Sequence, residues 1–211
     1  MKQHLRLFLK NERAATAAEF SLVLPLALIF MLGMIDVGRF MWTVNRAEKA
    51  TQMGTRFAVV TAPVPSGIVD YSFTPTIDIG ENVPASAYGT ATCGFTPSVP
   101  AKATDTASCT CTTGICPWPV GANNDAFTKV YDRMKLFLPE VGKQHIKIDY
   151  SPSGLGYAGD PTGSDIYPVV TVRLQGFTFK PITTLLFNIS TPTPTVSTSL
   201  TMEDAVGSAS N

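Results

Sequence analysis

The sequence predicts an α+β chain in which a long N-terminal helix, transmembrane and then amphipathic, precedes a small head with an antiparallel sheet, one packed helix and a disulfide-stabilised loop region. Three observations predict it. Phe20 to Ile35 carries no charge at all. Apolar residues then recur at three- and four-residue steps as far as Ala62, where Pro63 and Pro65 follow. The chain beyond residue 122 holds one amphipathic helical stretch followed by several period-two stretches.

The N-terminal element comes first. Residues 1–13 place Lys2, Arg6, Lys10 and Arg13 against a single acid, Glu12. From Ala14 to Ile35, 22 residues are interrupted only by Glu19. At 1.5 Å per residue that length covers roughly 33 Å, enough to cross the hydrocarbon core of a bilayer. Lys and Arg stay on the cytoplasmic side, so the N-terminus is inside and the chain beyond about residue 37 is exported. A cleaved secretory signal needs small residues after its apolar run. Here Asp36-Val37-Gly38-Arg39-Phe40 follows the run, and the small cluster Ala14-Ala15-Thr16-Ala17-Ala18 precedes it.

A plain signal anchor accounts for the span but leaves that cluster and Glu19 without a role. A carboxylate at the centre of a span costs on the order of 2.5–3.5 kcal/mol, and less near its edge. Glu19 therefore either reaches the interface or meets a cation within an assembly of packed helices. Cleavage between Ala14 and Ala15 would create such a cation, an α-amino group four residues before Glu19. In a staggered stack, that amine on one subunit neutralises the Glu19 carboxylate of its neighbour.

These residues resemble the TadE-like family of pilin-like proteins from the Flp (tight adherence) pilus system. The resemblance lies in the basic leader ending Asn11-Glu12-Arg13, in Ala14-Ala15-Thr16-Ala17-Ala18-Glu19-Phe20, in Ser21-Leu22-Val23-Leu24-Pro25-Leu26, and in Met34-Ile35-Asp36-Val37-Gly38-Arg39. It covers residues 1–62, with a fainter echo in the Thr-rich last 45. Family members typically carry Gly-x-x-x-x-Glu-aromatic at the processing site, and this chain departs from that pattern with Ala14 in the Gly position. The resemblance implies a leader of residues 1–14 removed by a prepilin-type peptidase, with Ala15 the first mature residue, Glu19 the fifth and Phe20 the aromatic. It also implies association with other pilin-like subunits through the helix, and work alongside a pilus assembly platform. The implied location is the bacterial inner membrane with the head periplasmic, or an extracellular pilus after incorporation. An alternative from another class is an unprocessed, signal-anchored envelope protein whose exported head binds a ligand or partner.

Past the span, at about residues 15–36, the helix continues. Val37, Phe40, Met41, Val44, Ala47, Ala50, Met53, Gly54, Phe57 and Val60 fall on one face, and Asp36, Arg39, Asn45, Arg46, Lys49 and Arg56 on the other. Residues 15–62 are thus expected to form one rod about 70 Å long. Pro25 removes a backbone hydrogen bond inside the membrane portion and predicts a kink or a loosened turn there.

From residue 63 to 122 the composition turns to Pro, Ser, Thr, Gly and Ala, with eight prolines between Pro63 and Pro119. A loop-rich region is expected, with a short strand over Ile68–Phe73. It holds every cysteine: Cys93, Cys109, Cys111 and Cys116. Export to an oxidising compartment makes disulfides the expected state. A Cys109–Cys111 bond would close a very tight ring, which leaves Cys93 paired with one of these two and Cys116 with the other. A C-x-C-x₄-C arrangement fits neither zinc spacing nor a C-x-x-C redox site.

Residues 123–211 form the expected α+β head. Asn123-Asn124-Asp125 caps a helix through Leu138, stopped by Pro139, with Phe127, Val130, Tyr131, Met134, Phe137 and Leu138 inward. Strands are expected over Ile146–Tyr150, over a long Tyr167–Phe179 with Val170, Val172 and Leu174 on one face, and over Val196–Met202 with Val196, Leu200 and Met202 on one face.

Charge and composition bound the function classes. Charged residues make up 15%, and 16 basic side chains balance 16 acidic ones, so the basic excess of a nucleic-acid binder is missing. His4 and His145 are the two histidines, and no nucleophile elbow or phosphate loop accompanies them. No catalytic constellation, metal site or cofactor is expected. Asp149, Asp160 and Asp165 leave room only for a weak cation site around the 149–165 loop.

Overall fold

In a computed structural model, the structure describes residues 12–97, 105–161, 163–184 and 190–203, with side chains from Thr16 onward. Residues 1–11 of the expected leader lie outside the described residues. Helix α1 runs over Glu12–Val60 without a break at Pro25. It ends two residues short of the expected Ala62, and it already includes Glu12, which the sequence reading placed in the leader. The chain then gives strands β1 (Thr90–Phe95) and β2 (Ala107–Thr113), helix α2 (Asn124–Lys135), and strands β3 (Ile146–Ser151) and β4 (Val169–Leu174). Two-residue strands β5 (Thr178–Phe179) and β6 (Thr191–Pro192) pair with each other, and β7 (Val196–Thr201) closes the order.

The contacts divide into two units, Met1–Trp42 with Thr178–Thr191, and Thr43–Phe177 with Pro192–Asn211. The second unit contains a five-stranded sheet in the order β2-β1-β3-β4-β7, antiparallel throughout. Its inward face carries Ala91, Cys93, Ile146, Ile148, Tyr150, Val170, Val172 and Leu174, all buried. The Tyr150 hydroxyl reaches across the core to accept from the Val64 backbone N–H at 3.0 Å. Burial of that phenol favours its neutral form and raises its pKa.

The head-side portion of α1 packs into this core through small residues. Ala47, Ala50, Thr51, Gly54, Thr55 and Ala58 are buried. A Cβ at Gly54 would lie 2.7 Å from Met134 Cγ, so helix α2 rests directly on this position. On the sheet side, the Thr55 hydroxyl donates to the Thr198 carbonyl and the Thr51 and Thr198 hydroxyls meet at 3.2 Å. Arg46, expected on the outward polar face, donates to the Phe137 carbonyl at 2.9 Å and so ties the helix to the chain after α2.

Several expectations are corrected. Ile68–Phe73 is turn and irregular chain, because the buried pair Ile68 and Phe73 is five residues apart and no single strand face can hold both. The 63–122 region is not only loop: β1 and β2 from it are members of the main sheet. The expected Tyr167–Phe179 strand is two, β4 and β5, because Gly176 turns the chain at φ +66°. Helix α2 stops at Lys135 rather than Leu138. Its Asn123 cap accepts from the Ala126 N–H at 3.1 Å, as the capping signal predicts. Leu200 is 40% exposed on the edge strand β7, whereas Met202 is buried.

Candidate functional site

Between Phe20 and Ile35, α1 exposes most of its large apolar side chains. Phe20, Leu22, Leu26 and Phe30 are each at least 66% exposed, and Met41 and Trp42 are exposed as well. Monomeric soluble proteins rarely expose so continuous an apolar surface. A window of this helix has mean hydropathy 2.3, long and apolar enough to cross a membrane. Glu19 stands exposed among these residues. Ala14 and Ala15 are helical, and their side chains lie outside the described residues. Ser21, one turn before Pro25, donates its hydroxyl back to the Ala18 carbonyl at 2.9 Å.

At the head-side end of the uncharged run, Asp36 occupies a place that the helical pattern does not reveal. It was expected on the outward polar face, yet it is only 7% exposed. Its carboxylate accepts from the Ile182 N–H at 2.6 Å, the Thr183 N–H at 2.9 Å and the Thr183 hydroxyl at 2.8 Å. Arg39, one turn further, bonds Asp36 at 3.3 Å and lies 5.4 Å from the centroid of the Phe179 ring. Phe40 meets that same ring edge-on at 5.6 Å. The Asp-x-Gly-Arg segment is thus a clasp that holds the Phe179–Thr184 stretch against α1. A charged acceptor bonded by two backbone N–H groups and a hydroxyl is among the stronger polar contacts available. The signal in the sequence was an acid closing an apolar run with Arg three residues later, but its partner is 146 residues away.

In the second unit the cysteines form Cys93–Cys109 and Cys111–Cys116. This is one of the two pairings that the ring-size argument left open. Cys93 and Cys109 are directly opposed in the β1–β2 register, so the strand pairing itself brings them together.

The three acids that left room for a cation are already engaged. Asp149 on β3 pairs with Arg173 on β4 at 2.7 Å and accepts from Thr92 at 2.7 Å. Asp165 accepts from the N–H groups of Phe73, Gly159 and Asp160 and from the Ser72 hydroxyl, a knot of donors that suits an anion and repels a cation. Asp160 accepts from the Tyr167 hydroxyl. Among the described residues no three His, Cys, Asp or Glu side chains gather as a metal site. His145 bonds the Gln144 side chain and the Gln175 carbonyl and packs edge-on to Phe177, which makes it part of a loop junction.

The outer helix surface and the Asp36 clasp are the features with a functional reading, and comparison with known proteins bears on the same segment. Residues 14–56 match the family model of TadE-like proteins. No curated protein and no solved structure matches the chain. The matched segment starts at Ala14 and spans Glu19, Pro25, Asp36 and Arg39, so over these residues the chain is similar to TadE-like proteins, and the same helix is long and apolar enough to cross a membrane.

Proposed function

We propose that this chain is a pilin or minor pilin of a Flp-type pilus, matured by a prepilin-type peptidase and assembled through α1. The observation that carries this reading is the outer portion of α1: large apolar side chains exposed from Phe20 to Ile35 and again at Val37, Met41 and Trp42, with the Glu19 carboxylate at the start of the run. Before assembly, lipid covers that surface; after assembly, neighbouring helices do. Cleavage between Ala14 and Ala15 supplies the amine that pairs with Glu19 of an adjacent subunit, in a setting where an unpaired charge is costly. Pro25, with no N–H to donate, lets the turn behind it open when the helix leaves the bilayer. The head projects into the periplasm and, in a filament, outward from it.

The experiment is the N-terminal sequence and intact mass of the membrane-extracted protein, from cells with and without the peptidase. A peptidase-dependent start at Ala15 is expected; an intact Met1 start in both strains overturns the processing. Glu19→Ala adds a second readout: insertion and cleavage continue, while recovery in sheared filaments falls at least tenfold, the effect of losing about 1.4 kcal/mol per subunit contact.

A further inference from the structure

In the second unit, two loops run side by side and leave apolar side chains uncovered. The Gly80 N–H donates to the Ala158 carbonyl and the Ala158 N–H to the Glu81 carbonyl, both at 2.9 Å, and Asn82 forms an antiparallel bridge with Tyr157. The Ile79 side chain lies 3.3 Å from where a Gly159 Cβ would stand. Ile79, Leu155 and Tyr157 are all exposed on this loop pair. Single exposed apolar residues are ordinary on a surface, whereas a group of them on adjoining loops marks a contact area. Asp78 and Glu81 are exposed beside them, and Asp160, which accepts from the Tyr167 hydroxyl, belongs to the same loops. No Lys or Arg occurs in residues 74–82 or 152–167, so the charge of the patch is entirely negative.

The matching chemistry stands at the other end of the sheet. The 152–167 loop follows β3, whereas the chain joining α2 to β3 precedes it, and the six residues of β3 hold the two about 17 Å apart. At this second end Leu136 is exposed, directly after Lys135. The Lys135 and Lys143 ammonium groups stand 5.6 and 5.4 Å from the Tyr131 ring centroid, which gathers both charges in one place. Residues 129–147 set Lys129, Arg133, Lys135, Lys143 and Lys147 against Asp132 and Glu140, and Glu140 is already paired with Arg46 at 3.3 Å. One end of the head thus offers apolar side chains rimmed by carboxylates, and the opposite end an apolar side chain rimmed by cations. Their separation exceeds the screening length of about 8 Å, so they do not neutralise one another within one chain. An anionic bilayer surface repels the first patch. The basic end of another copy complements it in charge and in apolar contact.

We propose that the Ile79–Leu155–Tyr157 patch docks onto the Lys135–Leu136–Lys143 end of a second copy of this chain. The two patches differ and lie at opposite ends of β3, so the contact is heterologous, and each copy both gives and receives it. It repeats from subunit to subunit and adds a contact between heads to the contact between helices. The proposal rests on the reading of the chain as a subunit present in several copies in one filament. The high effective concentration there lets two small patches associate that would not hold free heads together.

The test is photocrosslinking in intact piliated cells, with a photoreactive side chain in place of Leu155 and the crosslinked peptides mapped by mass spectrometry. It compares the otherwise wild-type chain, Asp78→Lys with Glu81→Lys, Lys135→Glu with Lys143→Glu, and a combined variant carrying all four changes. The wild-type chain is expected to crosslink to residues 129–147 of a second copy. Each reversed pair should lower that crosslink roughly tenfold. The combined variant should recover most of it, which a misfolded head would not do. Crosslinks to lipid, to a different protein or to another part of the second copy overturn the proposal. So does a signal that the reversals leave unchanged, or one that the combined variant fails to recover. Recovery in sheared filaments is measured alongside: a wild-type chain absent from them overturns the filament reading and the proposal with it, whereas a chain present there without the crosslink overturns the proposal alone.

Discussion

Helix α1 presents two opposite surfaces along one continuous backbone. Between Phe20 and Trp42 large apolar side chains stand exposed; between Ala47 and Val59 the buried positions are Ala, Thr, Gly and Val. The small residues let the helix axis come close to α2 and β7, with threonine hydroxyls bonding back to the helix's own carbonyls at Thr51 and Thr55. Such close approach yields a fixed mutual fit with the head. The large residues create a surface whose partner is outside the chain, either lipid or other helices. One helix is therefore divided between internal packing and external contact, and side-chain size marks the division more clearly than hydrophobicity does.

Disturbing the packed portion should weaken the head and leave the outer portion untouched. The largest effect is expected from the Cys93→Ala and Cys109→Ala pair. Opening a loop of sequence separation 16 costs about 3 kcal/mol, against about 2 kcal/mol for the Cys111–Cys116 loop of separation 5. Thermal melts of the head should show that order, with membrane retention unchanged in both variants. Gly54→Leu comes next. Its side chain must displace Met134, at a cost of about 1–3 kcal/mol in denaturant unfolding. Gly33→Leu, in open space, should cost nothing and gains helix propensity.

A third substitution probes the boundary between the two surfaces. Asp36→Ala removes the acceptor that holds Ile182 and Thr183. Hydrogen exchange at those two amides should accelerate at least ~10-fold, while amides of β3 and β4 keep their protection. Unchanged exchange at Ile182 and Thr183 would show that the clasp does not depend on the carboxylate. The smallest effect concerns pH. Burial raises the Tyr150 pKa above its unfolded value near 10. The contribution to stability is complete below about pH 10 and is lost as pH climbs toward the folded value. Head melting temperature should fall as pH climbs above 10, and less steeply in Tyr150→Phe.

The sequence makes some of this legible, for reasons that differ from element to element. The apolar run, the Asn123 cap, and the alternation of Val170, Val172 and Leu174 each express a local period that matches the element formed. Strands β1 and β2 were hidden because Thr, Ala, Ser, Gly and Cys give no hydrophobic alternation. Their pairing is supported by the opposed Cys93 and Cys109 instead of by large side chains. The long Tyr167–Phe179 strand was misread because Gly176 lies within an otherwise β-like run. At the candidate site, Glu19 and Pro25 are visible as departures from an apolar background. The role of Asp36 was not visible, since an acid on a helix reads as solvated until its distant partner is known. In the acid cluster around the 149–165 loop, composition left room for only a weak cation site, and the N–H groups turned toward Asp165 already satisfy that carboxylate.

The most direct measurement of the divided helix is photocrosslinking in intact cells, with a photoreactive side chain at Leu26 on the outer surface or at Gln52 on the exposed side of the packed portion. The account predicts crosslinks from Leu26 to a second copy or another pilin-like subunit, dependent on Glu19, and far fewer from Gln52. Crosslinks from Leu26 to lipid alone, in cells that are assembling pili, would contradict it.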